Sequence, residues 1–589
     1  MDGALTRILA GLLAASLCTA GCGSGATTSG PPPPAPSLRP EDASVPGEVV
    51  SEPSTLRSLA VRWPVRGDAN ANATVDVEYR PAGETPWRPG YPLFRPYPEH
   101  QSPALRVAGG WLFAGSIVDL TADTEYEVRL TLRDPDGGGA ERVVRLRTAA
   151  EPREPAGLAV RHVAPGEGGG TGAAADPFRG LAAAETAAAP GTVFLLHAGV
   201  YHAPWRVPRS GEPGRPIIYR GAGDGEVILD GEGSERAVNA QGVRHVWLEG
   251  VTIRNARYLF VGNGGSHLVV RRSRFEVTRV GFEAITGGYE ESRGFFVTDN
   301  VFIGPSKWPR PPRIEPYNAI SVSGAGHVIA WNYIHRVADG VHGTEHGRLS
   351  ASDIHNNDIE LCTDDGIEAD YGDANVRVFE NRVTNCYSGV SAQPMHGGPL
   401  YVFRNAMLNV EYSPVKLHND TAGVLIFHNT SVRVGRPFLI DPAGETVNDV
   451  VTRNNLFVGT SGPALSSTGK MIRCDFDHDG YAWEVGPFAQ WNGRTYRTPE
   501  AARASGQLYR RDGALQLAER RLFASGLRPP ADFRTALPRE ANDLRLAAGS
   551  PAAGKGVALP NFSDGVTGAA PALGCCEPGR PLPHYGPRR

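Results

Sequence analysis

Between about residues 250 and 460 the chain repeats one short hydrophobic–polar pattern. An apolar-rich stretch leads into Asn300, Asn332, Asn357, Asn381, Asn405, Asn429 and Asn455. From Asn332 onward the interval stays at 24 to 26 residues. Three residues before each Asn stand Val297, Ile329, Ile354, Val378, Val402 and Ile426, with Thr452 breaking the row. Two residues after it stand Phe302, Ile334, Ile359, Val383, Met407, Ser431 and Phe457. Period-two alternation on both sides of a fixed Asn predicts two short strands meeting at a bend. A repeat of this size predicts a solenoid in which each coil buries its apolar face on its neighbours. Asn suits the bend because it tolerates left-handed backbone angles and its amide can bond nearby backbone or the next Asn in the stack.

These rows resemble the right-handed parallel β-helix proteins of the pectate-lyase-like superfamily, over roughly residues 160 to 470. Weaker coils precede the Asn rows, with equivalent positions at Ser273 and near Gly250 and with Trp247 and Val270 in the inward row. Gly170 to Phe178 and the Ala-rich stretch 181–189 resemble the short helix that plugs the first coil in that superfamily. The expected fold class is all-β: a right-handed parallel β-helix (156–470) preceded by a small antiparallel β-sandwich (47–150) and followed by an irregular segment (471–589) that covers the final coil. In the sandwich, Leu59–Trp63, Val75–Tyr79 and Val128–Leu132 alternate apolar and polar. Leu120, Thr124, Tyr126 and Val128 resemble the fibronectin type III pattern, with Tyr126 at a corner and Trp63 in the core. Trp87, Tyr91, Phe94, Tyr97 and Trp111 could bind carbohydrate or dock on the β-helix.

Composition narrows the partners. Net charge is −4 with both signs mixed, which gives no footprint for nucleic acid. Arg7 precedes an apolar run from Ile8 to Ala15, and Thr19-Ala20-Gly21-Cys22 resembles a bacterial lipoprotein processing site. Residues 1–22 therefore read as a signal peptide with Cys22 lipidated, a plain secretory signal being the alternative. Residues 23–46, with Pro31 to Pro34, read as a stiff tether. The expectation is an exported monomer that touches a membrane only through its lipid. Cys362 and Cys386 lie one coil apart and read as two buried free thiols, because stacked side chains run parallel. For Cys575 and Cys576 the sequence does not decide.

Candidate chemistry lies in a second register. Asp339-Gly-Val-His342, Asp365-Gly-Ile-Glu368, Ser388-Gly-Val-Ser391 and Ser413-Pro-Val-Lys416 align coil by coil. Alternation turns Val341, Ile367, Val390 and Val415 inward. It places His342, Glu368, Ser391 and Lys416 in one outward column, with Thr344, Asp370, Gln393 and His418 beside it. Only four of 59 basic residues are Lys, so Lys416 suits a role that needs an ammonium of lowered pKa. The resemblance implies a polysaccharide partner and β-elimination on a uronate polymer. In that reading Glu368 and Asp370 hold Ca²⁺, Lys416 is the base with His342 or His418 assisting, and Gln393, Asp339 and Asp365 bind substrate. Two alternatives stand beside it. One is a glycoside hydrolase using Asp339 and Asp365 about 6.5–9.5 Å apart, since Asp339, Asp364, Asp365, His396-Gly397 and Lys416 echo the order in β-helix polygalacturonases. The other is a non-catalytic glycan-binding or adhesive protein.

Overall fold

The computed structural model describes residues 39–589 except 287–291, 519, 520, 565 and 567. The signal peptide, Cys22 and most of the tether lie outside the described residues. Two stacks of parallel strands carry the solenoid, one of 15 strands and one of 18. Each coil contributes to both. Ile329 pairs with Ile354, Ile354 with Val378, and Val378 with Val402 in the first stack. Ile334, Ile359, Val383 and Met407 do the same in the second. These rows form one continuous buried core from Val163 to Ala514.

The Asn column joins the two stacks. Asn357 donates its backbone N–H (3.1 Å) and its Nδ2 (3.0 Å) to Asn381 Oδ1, and a second Nδ2 bond (2.9 Å) to Ile329 O on the coil behind. The same set recurs at every rung from Asn300 to Asn455. The left-handed residue is not the Asn itself, as the sequence suggested, but the one before it. Asp299, Trp331, Asn356, Glu380, Arg404, His428 and Asn454 have φ of 52–60°. The Asn must instead aim its buried amide along the stack, where all its polar capacity is used. Ser273 is the first rung, donating its N–H to Asn300 Oδ1 (3.1 Å). Asp479 is the last. Its Oδ1 accepts from Asn455 N (3.0 Å) and Nδ2 (2.8 Å), and its Oδ2 from Thr452 Oγ1 (2.5 Å) and Tyr509 OH (3.2 Å).

Helix Leu181–Glu185 plugs the first coil with Leu181 and Ala184 buried. Coiling continues past 470, since Gly480–Ala482 and Leu515–Gln516 extend the 18-stranded sheet. Only part of the 471–589 segment covers the end of the solenoid. Ala502, Leu508 and Tyr509 close it, while the chain after 520 runs back along its flank. There Asn542 bonds Val383 O (3.1 Å) and Arg588 bonds Asp299 (2.7 Å).

The N-terminal unit is a sandwich of two four-stranded antiparallel sheets around Trp63, with Thr121 N–H bonded to Tyr126 OH (3.0 Å). It is docked on the 15-stranded side. Thr55 bonds Asp353 (2.6 Å), Asn375 bonds Glu52 (2.7 Å), and the fully buried Arg377 pairs with Asp353. Of the aromatic insertion, Tyr91 packs on Phe427 and Phe562 (5.3 and 5.7 Å), and Tyr97 lies under Arg473 (3.7 Å). Trp87 is held between Arg80 and Arg129 (4.3 Å each). Tyr91 and Tyr97 are therefore docking residues and do not form a free sugar platform.

Two measurements test the ladder. Asn381→Ala removes the acceptor of Asn357 and one donor to Asn405, so it is expected to lower stability by about 3 kcal/mol in denaturant titration; a shift of a few tenths would show that the ladder carries no stability. Burial pushes Asp479 up to about 6, against donors that lower it. Its contribution is thus full below about pH 4, the usual carboxylate range, and is lost as pH rises through 6. Asp479→Asn is expected to gain on the order of 3 kcal/mol over the native chain at pH 8 and nothing at pH 4.

Candidate functional site

Strands Asp339–His342, Asp358–Glu368, Arg382–Ala392 and Ser413–Leu417 lie side by side in the 18-stranded sheet, with the predicted register. Val341, Ile367, Val390 and Val415 pair inward, while Glu368, Ser391 and Lys416 pair outward, and His342 stands opposite Ser321. The ladder fixes where each coil restarts, and a register shift between Cys362 and Asp365 then sets Glu368 opposite Ser391 although the two lie at different offsets from their rungs.

The fold gathers five carboxyl groups there: Asp339, Asp364, Asp365, Glu368 and Asp370. Asp365 has no solvent exposure, and Asp339, Asp364 and Asp370 are 6–7 % exposed. Carboxylate oxygens of Asp339, Asp364 and Asp365 lie within 4.8 Å of one another. Asp339 Oδ1 also accepts the Asp365 backbone N–H (3.1 Å). Two cations face them. Lys416 Nζ forms an ion pair with Asp365, and Arg310 Nη1 pairs with Asp364 (2.7 Å). Five acids against two bases leave a net negative site if all ionise, so burial and mutual repulsion hold some protonated. Burial, then Asp364 and Asp365, drives Asp339 far above the carboxylate range. Burial with Asp339 and Asp370 does the same to Glu368. Burial raises Asp370 to about 7 and, with Asp365, raises Asp364 to about 6.

Lys416 departs from expectation. Burial lowers its pKa, but Asp365, Asp370 and Glu368 outweigh burial and hold it above its ordinary value. It is a fixed ammonium and not a poised base. His342 goes the other way, lowered to about 4 by burial. His418 faces Tyr412 OH (3.2 Å) and not the acid cluster. Burial and Lys416 lower it. The carboxylate spacing is also shorter than the gap expected for an inverting pair.

The cation fit differs in detail from the predicted pair. Glu368 groups with Asp339 and His342, donor atoms within 4.8 Å of one another. Asp370 Oδ1 instead accepts from Ser391 Oγ and the Gln393 N–H, both at 2.7 Å. His342 Nδ1 is buried without a hydrogen-bond partner and lies 3.7 Å from Glu368 Oε2. The residues present therefore fit a divalent ion held by Asp339, His342 and Glu368.

Three residues were missed in the sequence. Arg310 comes from the loop after Gly304 and lies over the Tyr387 ring (3.8 Å). Tyr387 stacks on Tyr412 of the next coil (5.1 Å). The tyrosines had a readable signal, since each directly precedes a register residue, Ser388 or Ser413. Arg310 had none, because loop placement has no period.

If the crowding serves function and not stability, relieving it should stabilise the chain. Glu368→Gln and Asp339→Asn are each expected to raise the unfolding free energy by about 1 kcal/mol at pH 8. The gain should fade as pH falls and the native acids protonate. Loss of stability in both variants at pH 8 would make the cluster a structural one.

No protein-family model matches the chain. It is 28% identical over 110 residues to the uncharacterized protein YwoF of Bacillus subtilis (strain 168), a match that spans 16% of this chain and 24% of that protein. Among solved structures it is similar to pectate lyase Pel9A, at 16% identity, covering 72% of this chain and 98% of that one with a TM-score of 0.37. It is also similar to XylC in complex with xylose, at 13% identity, 61% and 86% coverage and a TM-score of 0.43. The catalytic domain of a GH87 alpha-1,3-glucanase in complex with nigerose gives 11% identity, 75% and 90% coverage and a TM-score of 0.26.

Proposed function

We propose that this protein cleaves a polysaccharide at the Asp339–Asp364–Asp365 cluster by acid–base glycoside hydrolysis. The observation that carries the reading is the division of protons within one small group of carboxyls. Asp339 and Asp364 are pushed up, and Asp365 is held against the Lys416 ammonium. Neighbouring acids whose environments drive their protonation apart can supply both a proton donor and an ionised partner. Asp364, titrating near 6 and slightly more exposed than Asp365, is the general acid to the leaving oxygen. Asp365 is the partner carboxyl, fixed in place by Lys416. Arg310, paired with Asp364, and the Tyr387 ring beneath it flank the cluster.

A second reading is a cation-assisted lyase acting on uronates. It is favoured by the Asp339–His342–Glu368 donor set, which would hold the ion; the ion would neutralise a substrate carboxylate. Lys416 then supplies charge, and proton abstraction falls to another group. The Thr19–Cys22 motif supports an exported, lipid-anchored protein, and the Tyr126 corner supports a fibronectin type III assignment for the sandwich.

The test is to incubate the purified protein with neutral and uronate polysaccharides, with calcium or chelator, and to follow reducing ends and unsaturated product. New reducing ends without unsaturation, abolished in Asp365→Asn, are expected. Calcium-dependent unsaturated product would move the assignment to the lyase. Bound glycan with neither product would leave a binding protein. Because Arg310 lowers Asp364, Arg310→Ala is expected to move the alkaline limb of the pH–rate profile to higher pH; an unmoved limb removes Asp364 as the acid.

A further inference from the structure

We propose that Cys575 and Cys576 are a redox modification site, closing to a disulfide between sequence neighbours in the folded protein. Their Sγ atoms are 2.8 Å apart, inside van der Waals contact of two sulfurs. The site is held from both sides. Gly574 N–H bonds Asn454 O (2.7 Å) and Cys575 N–H bonds Thr430 Oγ1 (2.9 Å), which fixes this short segment against the solenoid flank. Gly574 has φ of 92°, and a Cβ there would meet Thr430 Oγ1 at 2.3 Å. The turn that presents the two thiols therefore depends on Gly574.

The two sulfurs differ in access. Cys576 is 7% exposed and packs in the cluster with Leu456, Leu544 and Leu573. Cys575 is half-buried, and both line a cavity of about 400 Å³ with Arg57, Glu380, Arg404 and His428. An external disulfide can reach Cys575 first. The other close pair contrasts with this. Cys362 and Cys386 face each other across adjacent strands but are wholly buried in the core, where no oxidant enters.

The chemistry is thiol–disulfide exchange with an external disulfide as oxidant. Cys575 loses its proton and attacks one sulfur; that S–S bond breaks and one thiol leaves, taking up the proton. Cys576 then gives up its proton and attacks Cys575 Sγ, and the second thiol leaves. The protein loses two protons and two electrons, and the oxidant becomes two thiols. Closure replaces two polar thiols in the cavity wall by an apolar, rigid link.

The test uses the folded chain with oxidised glutathione, followed by iodoacetamide, digestion and mass spectrometry. The peptide carrying Cys575 and Cys576 is expected to be lighter by two hydrogens and to resist alkylation until dithiothreitol is added. Cys576→Ser should trap glutathione on Cys575, with near-ultraviolet circular dichroism unchanged. Alkylation of both thiols after oxidant, pairing of either with Cys474, or a Cys576→Ser variant free of glutathione would overturn the proposal.

Discussion

The buried amide ladder is the interaction on which the rest depends. A parallel stack of short strands has no intrinsic register, and a one-residue slip would turn every core side chain outward. The ladder prevents the slip. From Asn332 on, each Asn accepts two bonds from the coil before it and donates at least three, so displacement of a single coil would strand several polar groups in a dry core. It also sustains a left-handed residue before every rung, a conformation that costs about 1 kcal/mol or more in a non-glycine residue. Ser273 and Asp479 end the column with side chains that still complete the bonding at each end.

Register set at the rungs passes to the strand that follows, with one shift between Cys362 and Asp365. Column alignment brings Asp339 and Asp365 together and sets Glu368, Ser391 and Lys416 in line. Five acids in so small and buried a space oppose folding, and the long apolar core tolerates them. A sheet face maintained only for stability would place paired charges or neutral groups there, as the Asp358–Arg382 pair does on the same sheet (2.6 Å).

The sandwich is part of the same body and not a hinged spacer. Its contact with the solenoid contains a fully buried ion pair, Arg377 with Asp353, bonded further to Thr55, Ser58 and Ser116. Such a pair is costly to break once desolvated, and it demands one docking geometry. The returning C-terminal chain adds Phe562 against Tyr91, Phe403 and Phe427. This buttress lies on the 15-stranded side and leaves the strand face with the carboxyl cluster uncovered by the sandwich.

The sequence by itself determined the features that repeat. Solenoid, rungs, the inward rows from Val297 on and the stacking of Cys362 on Cys386 follow from a fixed interval. Trp247, read as inward, instead packs outside the core with Ile218 and Val269, while Leu248 pairs with Val270. The Glu368–Ser391–Lys416 column was legible from its recurring motif and not from equal offsets. A period carries its own geometry, because equal offsets from a rung must stack. What lacked a period only the tertiary structure decided. Arg310 reaches Asp364 from an irregular loop, and Thr55, Ser58 and Ser116 reach the Asp353–Arg377 pair from 298, 295 and 261 residues away in the chain. The protonation of the site was equally illegible. Lys416 read as a base because Lys is rare here, but the charge state of a buried group is set by every neighbour at once. Three carboxylates converging on that ammonium hold its proton in place.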